Sequence, residues 1–246
     1  MSLILKRYMS LRDYLTYDFL GGPKFVTFAW AINLQKGATL LFVLVLMALH
    51  DVWTPTAWTY LGLHGSYGLI WLLKEAVFPD PSWQKKITLG GAINAWLFVL
   101  APYWIAPWLI VTLRIEQSPM VLGTAIALYA LGLALMVGAD AQKYFVLRAR
   151  RGLIVDGFFA RTRNPNYLGE MMIYASFAIV AGHWLPWLVL AWVWLGVFLP
   201  NMLRKDASMA RYPEWAAYRA RTWLLLPRPG FRAEQRRADS SPPRGF

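Results

Sequence analysis

The sequence has no cysteine, few histidines and few charged residues. Among its 246 residues none is cysteine, three are histidine and 15% are charged. The lack of cysteine excludes disulfides and thiolate metal sites, and the histidines at 50, 64 and 183 are too scattered for a histidine-rich site, so we expect no metal. An ordinary soluble protein is about one quarter charged. This chain therefore has too little charge to cover a water-facing surface.

The sequence also lacks the glycine-rich motifs of soluble nucleotide-binding domains. It contains neither GxGxxG nor GxxxxGK followed by Ser or Thr. In Rossmann and P-loop domains these motifs bring phosphates to a helix N-terminus. A nucleotide site of the soluble type is therefore not supported.

Six long apolar runs are present instead. Hydrophobic residues make up 58% of the chain, with 14 Trp, 12 Tyr and 13 Phe. A helix needs about 20 apolar residues to cross about 30 Å of hydrocarbon. The runs are 37–53 (an extension back to Phe25 is left open), 57–78, 88–113, 118–138, 166–181 and 184–203. We therefore predict an all-α, polytopic membrane helix bundle of about six transmembrane helices.

The basic residues indicate the orientation of this bundle. The formal net charge is +12, and Lys and Arg concentrate before the first run, after the second and fourth runs, and in the tail. The opposite loops carry Asp51, Arg114 with Glu116, and His183. Because Lys and Arg are enriched in cytoplasmic loops, we predict that both termini are cytoplasmic. The expected location is a bacterial inner membrane or the endoplasmic reticulum.

Composition divides the chain into four predicted parts. Residues 1–24 form a cytoplasmic or interfacial arm, and residues 25–138 form an N-terminal four-helix membrane part. Residues 139–227 form a C-terminal region with two membrane helices and a cytoplasmic helix. Residues 228–246 are rich in Pro, Ser and Arg, a composition typical of disorder.

The stretch from Asp140 to Glu170 is where we expect chemistry. Arg161 and Arg163 precede Pro165, which suits the first turn of a helix, and a helix N-terminus surrounded by arginines attracts phosphate or carboxylate. Topology alone also accounts for basic residues here. Glu170 is different, because an acid one turn inside a short apolar run is costly and is expected to line a cavity.

Two further stretches contain candidate residues. In the second run His64 and Tyr67 are three apart and share a helix face; His64 is expected to pack, whereas Tyr67 is a candidate proton donor. After the sixth run, Arg204 is followed by an aromatic helix around Tyr218. That helix either rests on lipid headgroups or covers a cofactor.

The residues Arg163-Asn-Pro-Asn-Tyr-Leu-Gly-Glu170 resemble a known signature, (R)HPNY(L/F)G(E/D). It marks membrane reductases of the steroid 5-alpha-reductase and sterol C14-reductase type. Looser forms occur in isoprenylcysteine carboxyl methyltransferases and phospholipid N-methyltransferases. The resemblance covers about residues 135–227, and Asn164 stands where family members usually have His.

This resemblance implies a cofactor and a set of site residues. It implies NADPH bound from the cytoplasmic side, a lipid or steroid-like substrate, and reduction of a double bond in a lipid enone. Tyr67 and Glu75 are candidates for polarising the substrate carbonyl. The implied cofactor-binding residues are Asp140, Tyr144, Arg151, Arg163, Asn166, Tyr167, Glu170, Arg204 and Tyr218.

Two alternatives remain open beside the reductase. One is a methyltransferase that uses S-adenosylmethionine, and the other is a non-enzymatic membrane protein that binds anionic lipid. The arginines of the 148–163 region favour NADPH, since its phosphates need cations whereas S-adenosylmethionine has no phosphate. Membrane lipids are expected partners, nucleic acid is not, and the oligomeric state is left open.

Overall fold

The computed structural model describes residues 3–229, and the protein is a bundle of helices. The helices are α1 (Leu3–Tyr17), α2 (Phe28–His50), α3 (Pro55–Val77), α4 (Leu89–Ala95), α5 (Ile105–Thr112), α6 (Pro119–Ala149), α7 (Pro165–Ala181), α8 (Trp184–Val193), α9 (Leu199–Met209) and α10 (Trp215–Arg221). Two short strands, β1 (Lys24–Thr27) and β2 (Lys86–Thr88), pair antiparallel. The predicted all-α membrane bundle is confirmed.

Within residues 3–229, four helical segments are long and apolar enough to cross a bilayer. They are Phe28–His50, Leu89–Thr112, Pro119–Ala149 and Trp184–Met209. The predicted second and fifth runs also form helices, α3 with 23 residues and α7 with 17, but neither belongs to this group of four. These segments identify a membrane protein; the count of six spans and the cytoplasmic termini stay predictions.

Hydroxyl side chains fix where several helices begin. The residues before α2, α3, α4 and α6 accept a hydrogen bond from a backbone N–H of the first turn; they are Thr27, Thr54, Thr88 and Ser118. Such capping satisfies a donor that the helix itself cannot. Helix α7 ends at Gly182, which adopts φ 57°, a left-handed conformation that suits glycine.

Helices α6 and α7 pack closely against each other through two glycines. A Cβ atom added to Gly169 would lie 2.5 Å from the carbonyl oxygen of Gly132 and 2.5 Å from the backbone nitrogen of Met136. Small residues let membrane helices approach in this way. The contact fixes the height of α7 against α6, and with it the position of Glu170.

Two of the membrane-spanning segments are interrupted by π-helical turns. One turn, Trp96–Leu100, follows α4 and is continued by a 3-10 turn, Ala101–Trp104; Trp192 Nε1 donates to the carbonyl of Phe98 at 3.0 Å. The other turn, Trp194–Phe198, separates α8 from α9 and receives hydrogen bonds from the Tyr8 and Arg12 side chains of α1. Side chains from elsewhere thus satisfy carbonyls at breaks, as the bilayer interior requires.

Helix α6 is longer than the run from which it was predicted. The apolar run ends at 138, whereas the helix continues to Ala149. Its polar extension is anchored by neighbouring loops, because Lys143 pairs with Asp80 and Gln142 binds the backbone nitrogen of Phe158. The predicted tail, 228–246, lies outside the described residues from 230 onward.

Candidate functional site

The basic end of the signature is fastened to the C-terminal segment. The Arg163 guanidinium, 7% exposed, donates from Nε to both carboxylate oxygens of Asp206 at 3.1 Å. It also donates to the carbonyl of Thr222 at 2.7 Å. Its donors therefore face protein acceptors, and its contacts join the start of α7 to α9 and to the residues after α10.

Asn164 continues this attachment at the position where the resembling families usually have His. Its side chain is fully buried, and its Nδ2 donates to the carbonyl of Leu224 at 2.8 Å. Next to it the hydroxyl of Thr162 donates to the carbonyl of Leu225 at 2.7 Å. The Asn164 amide therefore links the start of α7 to the segment after α10.

The acidic end of the signature points into the bundle. The Tyr67 hydroxyl, which is completely buried, donates to Glu170 Oε1 at 3.3 Å. Two residues predicted from separate stretches, one on α3 and one on α7, are thus brought together. A carboxylate held by a tyrosine inside apolar helices is an arrangement that can orient the tyrosine hydroxyl as a donor.

Lys36 on α2 completes this buried cluster. Its side chain is 3% exposed, and its ammonium group donates to the Tyr174 hydroxyl. The nitrogen lies 4.4 Å from the ring centre of Tyr67, 4.8 Å from that of Tyr174 and 5.0 Å from that of Trp71. Aromatic faces and Glu170 together compensate the buried charge.

Sequence reasoning missed Lys36, although a signal was available. The first run was started at 37, which placed this lysine outside it, whereas α2 begins at Phe28. A lone lysine within an apolar helix marks a functional candidate. Tyr174 and Tyr103, whose rings stack at 4.0 Å, were also missed, because tyrosines in apolar runs have no pattern that separates a site from a core.

A histidine lies beside the cluster. The Tyr60 hydroxyl and His64 Nδ1 are 2.8 Å apart, and the imidazole stacks on Phe177 at 4.3 Å. His64 is fully buried, and within residues 3–229 its Nε2 has no hydrogen-bond partner. His64 therefore packs, as expected, but it also presents an unused polar atom.

Ion pairs line the end of the bundle nearest the 150–164 loop. Lys74 pairs with Asp140 at 3.0 Å, and Lys143 pairs with Asp80 at 2.8 Å. Burial alone would raise the pKa of Asp80, but the Lys143 cation and hydrogen bonds from Ser82 outweigh it and lower that pKa to about 2. These pairs hold α3, α6 and the 78–84 loop together.

The structure separates Glu75 from Tyr67, although both were candidates for one carbonyl-polarising pair. They are eight residues apart on α3, a rise of about 12 Å. Glu75 Oε1 instead accepts a hydrogen bond from Gln84 Nε2 at 2.6 Å. The carboxylate beside Tyr67 is that of Glu170, so the pair as predicted is not assembled.

Two of the remaining predicted residues present unused oxygens. Asp140 Oδ1 and Asn166 Oδ1 are buried, and neither has a hydrogen-bond partner among the residues described. Tyr167 meets the Phe198 ring edge-on at 5.0 Å. Asn164 Oδ1 also lacks a partner among the described residues, so the 140–170 region keeps three acceptors available for a ligand.

The other predicted residues have different surroundings. Arg204 pairs with Asp13 of α1 at 2.7 Å, and the buried Tyr218 donates to the carbonyl of Phe159 at 2.9 Å. The Tyr144 hydroxyl accepts from Arg148 at 2.8 Å, and Arg151 is exposed. The structure does not bring Arg204, Tyr218 or Arg151 to the Tyr67–Glu170 pair.

Comparisons with known proteins place the signature within a family. The family model described as "Protein of unknown function (DUF1295)" matches residues 80–225, more than half of the chain. Two uncharacterized proteins of Schizosaccharomyces pombe are similar: one is 37% identical over 76 residues (31% of this chain, 23% of the relative), the other 35% identical over 92 (35% and 27%). The chain thus covers about a quarter of these curated relatives. By the extent of the family match, the protein belongs to the DUF1295 family.

Proposed function

We propose that this protein is a membrane reductase that uses NADPH to reduce a carbon–carbon double bond conjugated to a carbonyl in a steroid-like or other lipid. The observation that carries the proposal is the hydrogen bond from Tyr67 to Glu170 at 3.3 Å. It joins the acid of the reductase-like signature to a buried hydroxyl on another helix. A donor held in an apolar interior is what a carbonyl-polarising site needs.

The residues near the 140–170 region fit NADPH. Asp140 Oδ1 and Asn166 Oδ1 lack partners in the described part of the chain, and they can accept from the carboxamide and hydroxyl groups of the cofactor. Exposed arginines at 148, 150, 151 and 161 are available for its phosphates. When bound, NADPH supplies a hydride, and the protein supplies binding and orientation.

The protein's own residues then act on the substrate. The Tyr67 hydroxyl has one proton, which it donates to Glu170 in the free protein; when substrate binds, it donates this proton to the carbonyl oxygen instead, and Glu170 remains beside it. Met136, Trp71 and Phe177 are buried around this pair and exclude water. A dry site strengthens the electrostatic effect of the hydroxyl on the carbonyl.

A binding measurement tests the proposal. Purified protein in lipid nanodiscs is titrated with NADPH, and thermal unfolding is followed by tryptophan fluorescence. Saturation at about 100 times Kd stabilises the folded state by about 2.7 kcal/mol, which at about 2–4 °C per kcal/mol raises Tm by about 5–11 °C. Arg151→Gln weakens this response and Lys86→Gln, on the exposed 85–86 segment, does not. Absence of any NADPH response refutes the reductase.

One observation favours a methyltransferase as the second candidate. Arg163 is occupied by Asp206 and Thr222, while unused acceptor oxygens remain at Asp140 and Asn166 in the described region. S-adenosylmethionine has a cationic sulfonium and no phosphate, so acceptors suit it better than arginines. In the same titration it would stabilise the protein where NADPH does not. If neither ligand binds and Glu170→Ala leaves anionic-lipid binding intact, the non-enzymatic alternative is favoured.

A further inference from the structure

Lys36 is a buried cation that the proposed chemistry has not yet used. Its ammonium group lies inside a cage of aromatic rings, those of Tyr67, Trp71, Tyr103 and Tyr174, at 4.4–5.8 Å from the ring centres. Burial of a lysine is costly unless its charge is compensated. An apolar side chain would fill the same space without this cost, so the charge calls for a reason other than packing.

Polar side chains form a series from Lys36 to Glu170. Lys36 donates to the Tyr174 hydroxyl, the Tyr174 and Tyr67 rings meet edge-on with their centres 5.7 Å apart, and Tyr67 donates to Glu170. Hydroxyls and an ammonium group therefore converge between α2, α3 and α7. Two donors and a cation that meet at one place form an arrangement suited to a negatively charged oxygen.

A small cleft reaches this series from the side of α5 and α8. It has a volume of about 10 Å³ and is lined by Tyr103, Tyr174 and Phe177 on one wall and by Pro186 and Leu190 on the other. This is roughly the space that one water molecule occupies. The leading oxygen of a ligand is of the same size, and Tyr103 and Tyr174 are the lining residues that carry a side-chain polar group.

We propose that Lys36 and Tyr174 bind the carbonyl oxygen of the substrate and stabilise the negative charge that develops on it. This inference rests on the proposed function. When hydride adds to the far carbon of the conjugated double bond, the electron pair moves toward the carbonyl and the oxygen becomes an enolate oxygen. The near carbon then takes up one proton from solvent water, so the substrate gains two electrons and two hydrogens, with NADPH as the reductant and water as the proton source.

Charged and titratable groups on four neighbouring elements surround the proposed position of this oxygen. Lys36 comes from α2, His64 and Tyr67 from α3, Tyr103 from the 3-10 turn before α5, and Glu170 with Tyr174 from α7. Lys36 favours an anion, whereas the carboxylate of Glu170 opposes it. The two charges therefore have opposite expected effects, which separates an electrostatic role from loss of packing.

A phenol that mimics the enolate tests the inference without NADPH or turnover. 2-Naphthol is flat and apolar, and its neutral and anionic forms have different absorption spectra. We expect saturable binding to the protein in nanodiscs at pH 7.5, with the bound probe largely ionised. Lys36→Met lowers the affinity for the anion by about tenfold or more, as loss of a charged hydrogen bond does, whereas Lys86→Met has no effect. Glu170→Gln raises the ionised fraction.

Several outcomes overturn the inference. The inference is wrong if 2-naphthol does not bind saturably or if the bound probe stays neutral. It is also wrong if the bound probe is still ionised in Lys36→Met. If Lys36→Met does not fold, Tyr174→Phe removes one hydroxyl alone and must still reduce the ionised fraction. NADPH binding is measured separately, so an anionic probe without NADPH binding refutes the reductase and leaves the anion site in place.

Discussion

Replacing Arg163 by glutamine tests whether this arginine holds the fold or a ligand. The substitution removes the ion pair with Asp206 and the bond to the Thr222 carbonyl. Breaking a buried pair from one side costs about 3–5 kcal/mol, because it leaves the other charge uncompensated. The Asp206 side chain is 16% exposed, so water relieves part of that cost and the lower figure of about 3 kcal/mol applies.

The assay is thermal unfolding in detergent or nanodiscs, followed by tryptophan fluorescence. At about 2–4 °C per kcal/mol, Arg163→Gln lowers Tm by about 6–12 °C. Adding Asp206→Asn removes the uncompensated carboxylate, so the double variant regains part of this loss. NADPH affinity, measured below the new Tm, changes little in Arg163→Gln.

Arg151→Gln is the matched control on the exposed side of the same loop. An exposed arginine contributes about 0.5 kcal/mol or less to stability, so Tm stays within about 2 °C. If this arginine binds a cofactor phosphate, NADPH affinity falls about tenfold or more. If Arg163→Gln instead leaves Tm unchanged and abolishes NADPH binding, the structural role of Arg163 is refuted.

Three further predictions follow from the packing, the site and a surface ion pair. Tyr67→Phe leaves Glu170 Oε1 without this donor, which costs about 1–3 kcal/mol and lowers Tm by about 2–12 °C, and it lowers enone reduction at least about 100-fold when measured below the new Tm; full activity in this variant removes Tyr67 from the chemistry. Gly169→Ala places a Cβ atom 2.5 Å from the backbone of α6 and destabilises the folded protein by several kcal/mol. Gly123→Ala, which has open space around it, stabilises the folded protein by about 0.5–1 kcal/mol. Equal effects of the two substitutions on stability contradict the close contact between α6 and α7. The pKa of Asp80 is lowered from 3.8 to about 2 in the folded protein. Its pairing therefore contributes about 2 kcal/mol to the free energy of unfolding above pH about 4, and this contribution is lost as the pH falls from about 4 to 2. In Asp80→Asn, the free energy of unfolding should fall less steeply between pH about 4 and 2 than in the unmodified protein. An unchanged slope in this pH range contradicts the stabilising role of the Asp80–Lys143 pair.

The helical architecture was predictable because the bilayer leaves few solutions. Apolar runs without partners for their backbone groups form helices in a membrane, and all six predicted runs are helical. The ends were harder to predict. Helix α6 continues beyond its apolar run because Asp80 and the backbone nitrogen of Phe158 bind its polar side chains, and such partners lie far away in the sequence.

The breaks within helices were only partly predictable. A proline inside a helix removes a backbone donor and disturbs the regular hydrogen bonding, and the 3-10 turn Ala101–Trp104 includes Pro102. The π-helical turn Trp194–Phe198 contains no proline, and its carbonyls receive hydrogen bonds from Tyr8 and Arg12, almost 190 residues away. Local sequence cannot show a break that depends on a distant donor.

The signature was informative at its acidic end and ambiguous at its basic end. The cost of burying a carboxylate in an apolar helix singles out Glu170 and requires a partner, and Tyr67 is that partner. Arg163 carries no such constraint in the sequence, since an arginine in a basic loop serves topology, a phosphate or an internal carboxylate equally well. The identity of its neighbour, Asp206, decides among these, and only the folded chain provides it.

The same reasoning applies with more force to Lys36. A charge inside an apolar helix is as costly for Lys36 as for Glu170. The first apolar run can nevertheless be started at residue 37, which leaves Lys36 outside it. The sequence also does not show that four aromatic rings surround Lys36. Lys36 and Glu170 lie on helices far apart in sequence, and each compensates the other's charge. A pair of opposite charges retained together in the bilayer interior, with two tyrosine hydroxyls between them, is best explained by a ligand oxygen whose charge changes during the reaction.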